Sequence, residues 1–330
     1  MKEMKHHIIF LDNEGIGPTV KLPEFPFPHT WVSYPYTNPE QIVDRLKDAT
    51  IVMTCSVPLR KEHLSQLPNL KMISLALTGT DGVDLDYCHK HGIVVTNVPA
   101  YAQNTVAEHI MAMIFTLMRQ TSSYHQLLRQ VSKGKAEPQN IYFDYRIRDV
   151  RGQVLGIFGY GAIAKRLAEL ATAVGMKVRF FDRNGKYQGD EFFSFEEILS
   201  ESDVVSLCCP LTKETKDMIG SAEISLMKED AILINAARGG IVNEPALIKA
   251  IQNKQIGGAA LDGSVEEPIQ PHDPLFQIID YPNFILNPHV AWSSENAMQT
   301  LINRTVQNII DFAQGKTPVS IVKKEELCQA

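Results

Sequence analysis

Short runs of β-branched and aliphatic residues alternate, along almost the whole chain, with stretches whose apolar positions recur every three or four residues. This is the pattern of parallel strands joined by crossover helices, and it predicts an α/β fold. Before position 100 the expected strands are 7–11, 50–54, 71–75 and 93–96, with helices over 39–47 and 85–91, enough for one small open sheet. A second series follows, with strands near 154–158, 177–181, 204–207, 231–234, 258–261 and 284–286, the six strands of a full dinucleotide-type sheet. Between the two series, Val106, Ile110, Met113, Ile114 and Leu117 share one stripe of a long buried helix over 105–119. The polar stretch 130–140, with Gly134 and Pro138, reads as a surface loop. A last helix over 294–314 carries Met298, Ile302, Val306, Ile309 and Ala313 on one stripe, stops before Gly315 and Pro318, and is expected to return to the first domain.

Composition narrows the class without changing this picture. The chain has 330 residues, 44% hydrophobic and 21% charged, which fits two folded domains and excludes disordered or collagen-like readings. Lys plus Arg number 32 against 38 Asp plus Glu, a net charge of -6 with no long block of one sign, so neither a nucleic-acid footprint nor a polybasic membrane patch is expected. The longest greasy run, 110–118, falls well short of the roughly 20 residues that span a bilayer. Lys2 and Lys5 precede only a short apolar run, not a secretory signal, so a cytoplasmic protein is expected. Five cysteines, at 55, 88, 208, 209 and 328, form no CxxC pair and read as reduced thiols with no metal role; Cys208 and Cys209 are expected on a buried strand.

The first chemical signal is Gly159-Tyr160-Gly161-Ala162-Ile163-Ala164, which follows the apolar run 154–158 and opens a helix. Gly159 suits a tight turn, Gly161 lets the backbone approach a pyrophosphate, and Ala164 meets the need for a small residue in helix-to-strand packing. The pyrophosphate would lie on the helix N-terminus. Asp182, 23 residues after Gly159 and at the end of the next strand, is placed to accept hydrogen bonds from the adenosine ribose hydroxyls and to repel a 2′-phosphate, favouring NAD over NADP. Arg183 directly after it softens that exclusion.

Three later segments put polar groups at the carboxyl ends of expected strands: 235–240 with Arg238, 262–268 with Asp262 and Glu267, and 287–289 with His289. In a doubly wound sheet that edge is where ligands bind. Arg238 suits a bidentate grip on a substrate carboxylate. His289 can protonate a carbonyl oxygen as hydride arrives, or take the hydroxyl proton in reverse. Glu267, hydrogen-bonded to His289, would orient the ring and stabilise imidazolium. Singly, each residue also reads as a surface ion pair, a solvated carboxylate or a core histidine.

Together these segments resemble the D-isomer-specific 2-hydroxyacid dehydrogenases over nearly the whole length, through 92–99, Val106-Ala107-Glu108-His109, the Gly159 loop, Pro210-Leu211-Thr212, 235–244, 261–268 and Pro288-His289-Val290-Ala291-Trp292. The resemblance implies that Arg238, Glu267 and His289 are the catalytic trio and that Asp262 contacts the nicotinamide amide. It implies a substrate-carboxylate cradle at Leu77, Thr78 and Gly79. The cofactor-binding set it implies is Thr105, Gly159, Tyr160, Gly161, Ala162, Ile163, Asp182, Arg183, Cys209, Pro210, Thr215, Ala236, Ala237, Arg238, Asp262 and His289, with no metal. It further implies an NAD-binding Rossmann domain over 102–291, inserted in a flavodoxin-like substrate domain of 1–101 and 292–330, and a homodimer acting on a small 2-oxo or 2-hydroxy acid. Trp292 resembles the glycerate dehydrogenase and glyoxylate/hydroxypyruvate reductase branch and is assigned to the substrate pocket. Departures from the family pattern are Ala164 for the commoner third Gly, Cys208 where His is frequent, and Gly263-Ser264 where Val-Phe is usual. A non-catalytic NAD(H)-sensing interaction protein on the same fold is the rival reading; formate dehydrogenases, a nearer rival, carry Gln in place of Glu267.

Overall fold

The structure is a computed structural model that describes residues 5–183 and 185–322. Its strands are β1 (His6–Phe10), β2 (His29–Ser33), β3 (Ile51–Thr54), β4 (Met72–Leu75), β5 (Val94–Thr96), β6 (Val154–Phe158), β7 (Lys177–Phe181), β8 (Val204–Leu207), β9 (Ile232–Asn235), β10 (Gly258–Asp262) and β11 (Phe284–Asn287). The α-helices are α1 (Ile42–Leu46), α2 (Lys61–Leu64), α3 (Leu85–His91), α4 (Gln103–Arg119), α5 (Thr121–Ser132), α6 (Ala162–Ala173), α7 (Phe195–Glu201), α8 (Ser221–Leu226), α9 (Glu244–Gln252) and α10 (Glu295–Ala313).

The chain divides into two compact units. One holds the described residues before Gln103 and after Trp292, and the other is Gln103–Trp292. The expected boundaries lay one residue away at each junction. Trp292 goes with the second unit, where its indole bonds the backbone of His289.

In the first unit a five-stranded parallel sheet runs in the order β2-β1-β3-β4-β5, the flavodoxin-like order. The strands β3 and β4 are buried at every position, as a sheet covered on both faces requires. Strand β2 was not foreseen, because its sequence His-Thr-Trp-Val-Ser is only half buried at the sheet edge and shows no clean alternation. Helix α3 is opened by Asp84, whose side chain accepts the Tyr87 N–H, and closed by Gly92 in the left-handed region at φ +68°. Helix α10 packs on this sheet, with the buried Ser74 Oγ donating to Thr305 O at 3.2 Å.

The second unit carries a six-stranded parallel sheet in the order β11-β10-β9-β8-β6-β7. The strand order reverses between β6 and β8, which creates the crevice at the strands' carboxyl ends where nucleotides bind in such sheets. Its core gathers Leu207, Leu233, Leu247, Ile251 and Leu261, each 2% exposed or less, and full burial of such a side chain contributes about 1.5–3 kcal/mol. Helix α5 extends to Ser132, so the loop expected from 130 starts only after that residue; its Thr-Ser-Ser opening is too polar to signal a helix. Strand β8 ends at Leu207, which puts Cys208 and Cys209 in the loop after it rather than on a strand. Cys328 lies outside the described residues. Among the described residues no helix is long and apolar enough to cross a membrane.

Candidate active site

The turn after β6 shows what its two glycines are for. Gly159 has φ +111°, and a Cβ there would lie 2.7 Å from the Cys208 carbonyl oxygen, so both backbone conformation and the close approach of the loop after β8 demand glycine. Gly161 differs: its φ is -79° and a Cβ would meet no protein atom within 4 Å. The protein's own packing does not require glycine at 161, whereas a ligand approaching the backbone would. As N-cap of α6, Gly161 also brings no side chain to its first-turn N–H groups, which therefore suit an anion. The residues fit a dinucleotide pyrophosphate. Ala164 is fully buried in the helix-to-strand contact.

Around this loop the second unit assembles most of the expected cofactor set. The Gly159 N–H donates to Phe181 O at 2.9 Å, which joins the turn to the end of β7, and Asp182 follows directly. Asp182 Oδ2 accepts the Tyr187 N–H at 3.0 Å. Arg183 reaches across to the 210–215 loop, donating to Thr212 Oγ1 at 3.2 Å and lying 3.4 Å from Glu214 Oε2. In that loop Thr215 is 2% exposed; its hydroxyl donates to Pro210 O and accepts the Thr212 N–H, each at 2.7 Å, so it shapes the loop from inside. Burial pushes the Cys209 thiol up to about 11, which keeps it protonated at neutral pH. Tyr160 stands edge-on to Phe180 and Phe192, with Lys165 Nζ 4.4 Å from its ring centroid. Thr105 lies half-buried in the first turn of α4.

The three strand ends deliver the catalytic candidates. After β9, the Asn235 side chain accepts the Ala237 N–H at 3.1 Å and donates to Arg238 O at 2.8 Å, tying the turn through Ala236 and Ala237 that presents the exposed Arg238. Glu267 comes from the loop after β10, and His289 follows β11 at φ +54°. His289 Nδ1 lies 2.7 Å from Glu267 Oε2. The His289 hydrogen bond holds the Glu267 carboxyl below the ordinary glutamate range; burial opposes this, and the His289 charge, the Ser264 N–H and the Arg238 guanidinium add to it. An ionised carboxylate needs a donor, so Nδ1 carries the proton and Nε2 is left as the nitrogen for substrate.

Asp262 is buried and serves the same turn. Its Oδ1 accepts the Val290 N–H at 2.9 Å and its Oδ2 the Ala291 N–H at 2.7 Å, a role beyond the nicotinamide contact expected of it. The Trp292 indole donates to His289 O at 3.0 Å, so Trp292 also acts on the catalytic turn and not on a substrate pocket alone. Two supports escaped the sequence reading. His109 of α4 accepts from Asn287 Nδ2 at 3.0 Å and stands 3.8 Å from Asp262 Oδ1; its place in the Val-Ala-Glu-His motif was the available signal. Glu244, raised in pKa by burial, accepts the Val265 N–H at 2.8 Å from the first turn of α9, and no local pattern announced it.

In the first unit, Leu77, Thr78 and Gly79 follow β4 and are tied to the segment after β5: Val98 N–H donates to Leu77 O and Thr78 Oγ1 to Val98 O, both at 2.9 Å. Asn97 Nδ2 donates to Thr78 O at 2.7 Å. Among the described residues no group of three or more His, Cys, Asp or Glu is arranged to hold a metal.

Known proteins share this arrangement. The model of the D-isomer specific 2-hydroxyacid dehydrogenase NAD binding domain matches residues 111–291. A glycerate dehydrogenase from Methylorubrum extorquens is 44% identical over 321 residues, 97% of this chain and 100% of that protein. A hydroxypyruvate reductase from Blautia hydrogenotrophica is 30% identical over 292 residues, 87% of this chain and 89% of that protein. The crystal structure of a D-lactate dehydrogenase from Aquifex aeolicus, complexed with NAD and lactic acid, superposes with a TM-score of 0.77 at 29% identity, covering 96% of this chain and 98% of that one. The chain therefore belongs to the D-isomer specific 2-hydroxyacid dehydrogenase family and is an NAD-dependent oxidoreductase that interconverts 2-oxo and D-2-hydroxy acids.

Proposed function

We propose that this enzyme works on small polar 2-oxo acids of the glyoxylate and hydroxypyruvate type, with NADH preferred over NADPH. The observation that carries the catalytic part is the 2.7 Å contact between His289 Nδ1 and Glu267 Oε2, with the Arg238 charge close enough to depress the same carboxyl. Bound NADH supplies the hydride. Arg238 grips the substrate carboxylate and polarises the neighbouring carbonyl. His289 gives its Nε2 proton to the carbonyl oxygen, and Glu267 offsets the imidazolium charge before that transfer. The Gly159 loop, Asp182, Arg183, the 209–215 loop, Thr105, Ala236 and Ala237 hold the cofactor.

The substrate class is supported by the names of the two relatives reported above and by Trp292 after His289-Val290-Ala291. The test is initial-rate NADH and NADPH oxidation on glyoxylate, hydroxypyruvate, pyruvate and branched 2-oxo acids. Highest kcat/KM on the first two, with NADH, is expected. A preference for pyruvate or branched acids overturns the substrate reading, and equal use of NADPH overturns the role given to Asp182.

Homodimerisation in the cytoplasm belongs to the same proposal. Leu128, Ile141, Phe143 and Ile147 of the second unit are exposed, Phe143 to 88%, and are the apolar side chains that a partner subunit would cover. Sedimentation should give twice the chain mass, and Phe143→Asp should shift it toward monomer.

A further inference from the structure

The turn after β10 holds a departure that the reaction as described leaves unexplained, Gly263-Ser264. Gly263 has φ +112°, and a Cβ built on it would overlap Glu267 Oε1 and stand 3.8 Å from His289 Cβ. One carboxylate oxygen thus occupies the volume that any side chain at 263 would fill, while the other oxygen meets His289. The same turn is fixed from two further directions. Ser264 Oγ donates to Glu266 O at 2.7 Å, and the approach of Gly239 is so close that a Cβ there would collide with Ser264 O. The Ser264 backbone N–H also helps to lower the Glu267 carboxyl.

We propose that Gly263 is a positioning residue for proton transfer: its missing side chain is the seat of Glu267 Oε1, and that seat aims Oε2 at His289 Nδ1. The proposal rests on reading Glu267 and His289 as the proton-transfer pair. A side chain at 263 meets the end of a flexible side chain and not backbone, so Glu267 gives way, and in giving way it leaves the imidazole. The charged groups facing Glu267 are His289 from the loop after β11 and Arg238 from the loop after β9; its neighbour Glu266 lies 3.6 Å from His272 instead. The carboxyl then returns toward its ordinary range, and the acid limb of activity moves to higher pH.

The experiment is a double-mutant cycle on the full chain, with Gly263→Ala, Glu267→Gln and the double variant assayed for hydroxypyruvate reduction by NADH across the acid and neutral range. Gly263→Ala is expected to lower kcat about 10-fold in the parent and less than about 2-fold beside Glu267→Gln, because only a seated carboxylate senses the methyl group. It should also raise the acid limb while NADH binding, followed by fluorescence, stays intact. Backbone strain alone acts alike in both backgrounds, so an equal fold-loss in the two, or an unmoved acid limb, overturns the proposal. Near-normal turnover by Glu267→Gln would instead overturn the reading of Glu267 in proton transfer. Should Gly263→Ala not fold, Gly263→Asn carries the same cycle, since Asn tolerates positive φ best among residues with a Cβ.

Discussion

The indole N–H of Trp292 donates to the carbonyl oxygen of His289 at 3.0 Å, so the residue assigned to the substrate pocket also holds the backbone of the proposed acid/base residue. His289 has φ +54°, a conformation that costs a residue with a Cβ about 1–3 kcal/mol and persists only where neighbours enforce it. Trp292 enforces it from one side and Asp262, through the Val290 and Ala291 N–H groups, from the other.

Trp292→Phe keeps an aromatic ring and removes the donor. One lost hydrogen bond is worth about 1 kcal/mol, so kcat should fall about 5-fold with the order of preferred substrates unchanged. Steady-state kinetics on the four-acid panel checks this. A change in preferred substrate at constant kcat would show that Trp292 acts on the pocket alone.

Asp262→Asn replaces one acceptor with an amide NH₂ facing a backbone N–H, and that donor is left unpaired in a buried place. The expected result is a stability loss of about 1–3 kcal/mol and a kcat reduced more than about 10-fold, because the turn carrying His289 loosens. Thermal melting and single-turnover reduction read the two effects. An unchanged melting temperature with weakened NADH binding would place the weight of Asp262 on the nicotinamide instead.

Glu267 gives the pH dependence its acid side. Its carboxyl lies below the ordinary value of 4.5, chiefly through the His289 hydrogen bond, so in the folded enzyme it stays charged where a free glutamate begins to protonate. A depressed carboxyl contributes fully above its unfolded value, and the contribution is lost as pH falls through the folded one. Reduction should therefore show no acid limb until below pH 4.5, and Glu267→Gln should lose activity throughout the neutral range. An acid limb above 4.5 in the parent enzyme would show that the pair is not formed in solution.

The candidate site residues were readable where a short motif fixes their position in the fold. The Gly159 loop sits between an apolar run and an amphipathic helix, and Arg238, Glu267 and His289 each follow a strand whose hydrophobic run is continuous. Strand β2 and helix α5 were not, because an edge strand half open to water and a polar helix lack the periodicity that burial imposes. The second role of Asp262 was equally hidden. Its partners lie 28 and 29 positions further on, and only parallel pairing of β10 with β11 brings that turn to it. Gly263 could be noted as a departure, but its reason is a contact with Glu267 that no local pattern encodes.

The two glycines of the nucleotide loop separate folding from binding. At Gly159 a methyl group meets the Cys208 carbonyl at 2.7 Å in a backbone at φ +111°, so Gly159→Ala should destabilise the second unit and lower the melting temperature. At Gly161 the backbone is ordinary and nothing of the protein stands within 4 Å, so Gly161→Ala should fold and melt like the parent. What the methyl group does enter is the space over the first turn of α6, where a pyrophosphate on the helix N-terminus would be held. NADH affinity of Gly161→Ala should therefore fall about 10-fold or more, a loss of about 1.4 kcal/mol, at unchanged stability. Fluorescence titration beside thermal melting distinguishes the cases. Parent-like NADH affinity in a well-folded Gly161→Ala would mean that the pyrophosphate does not approach the backbone at this residue.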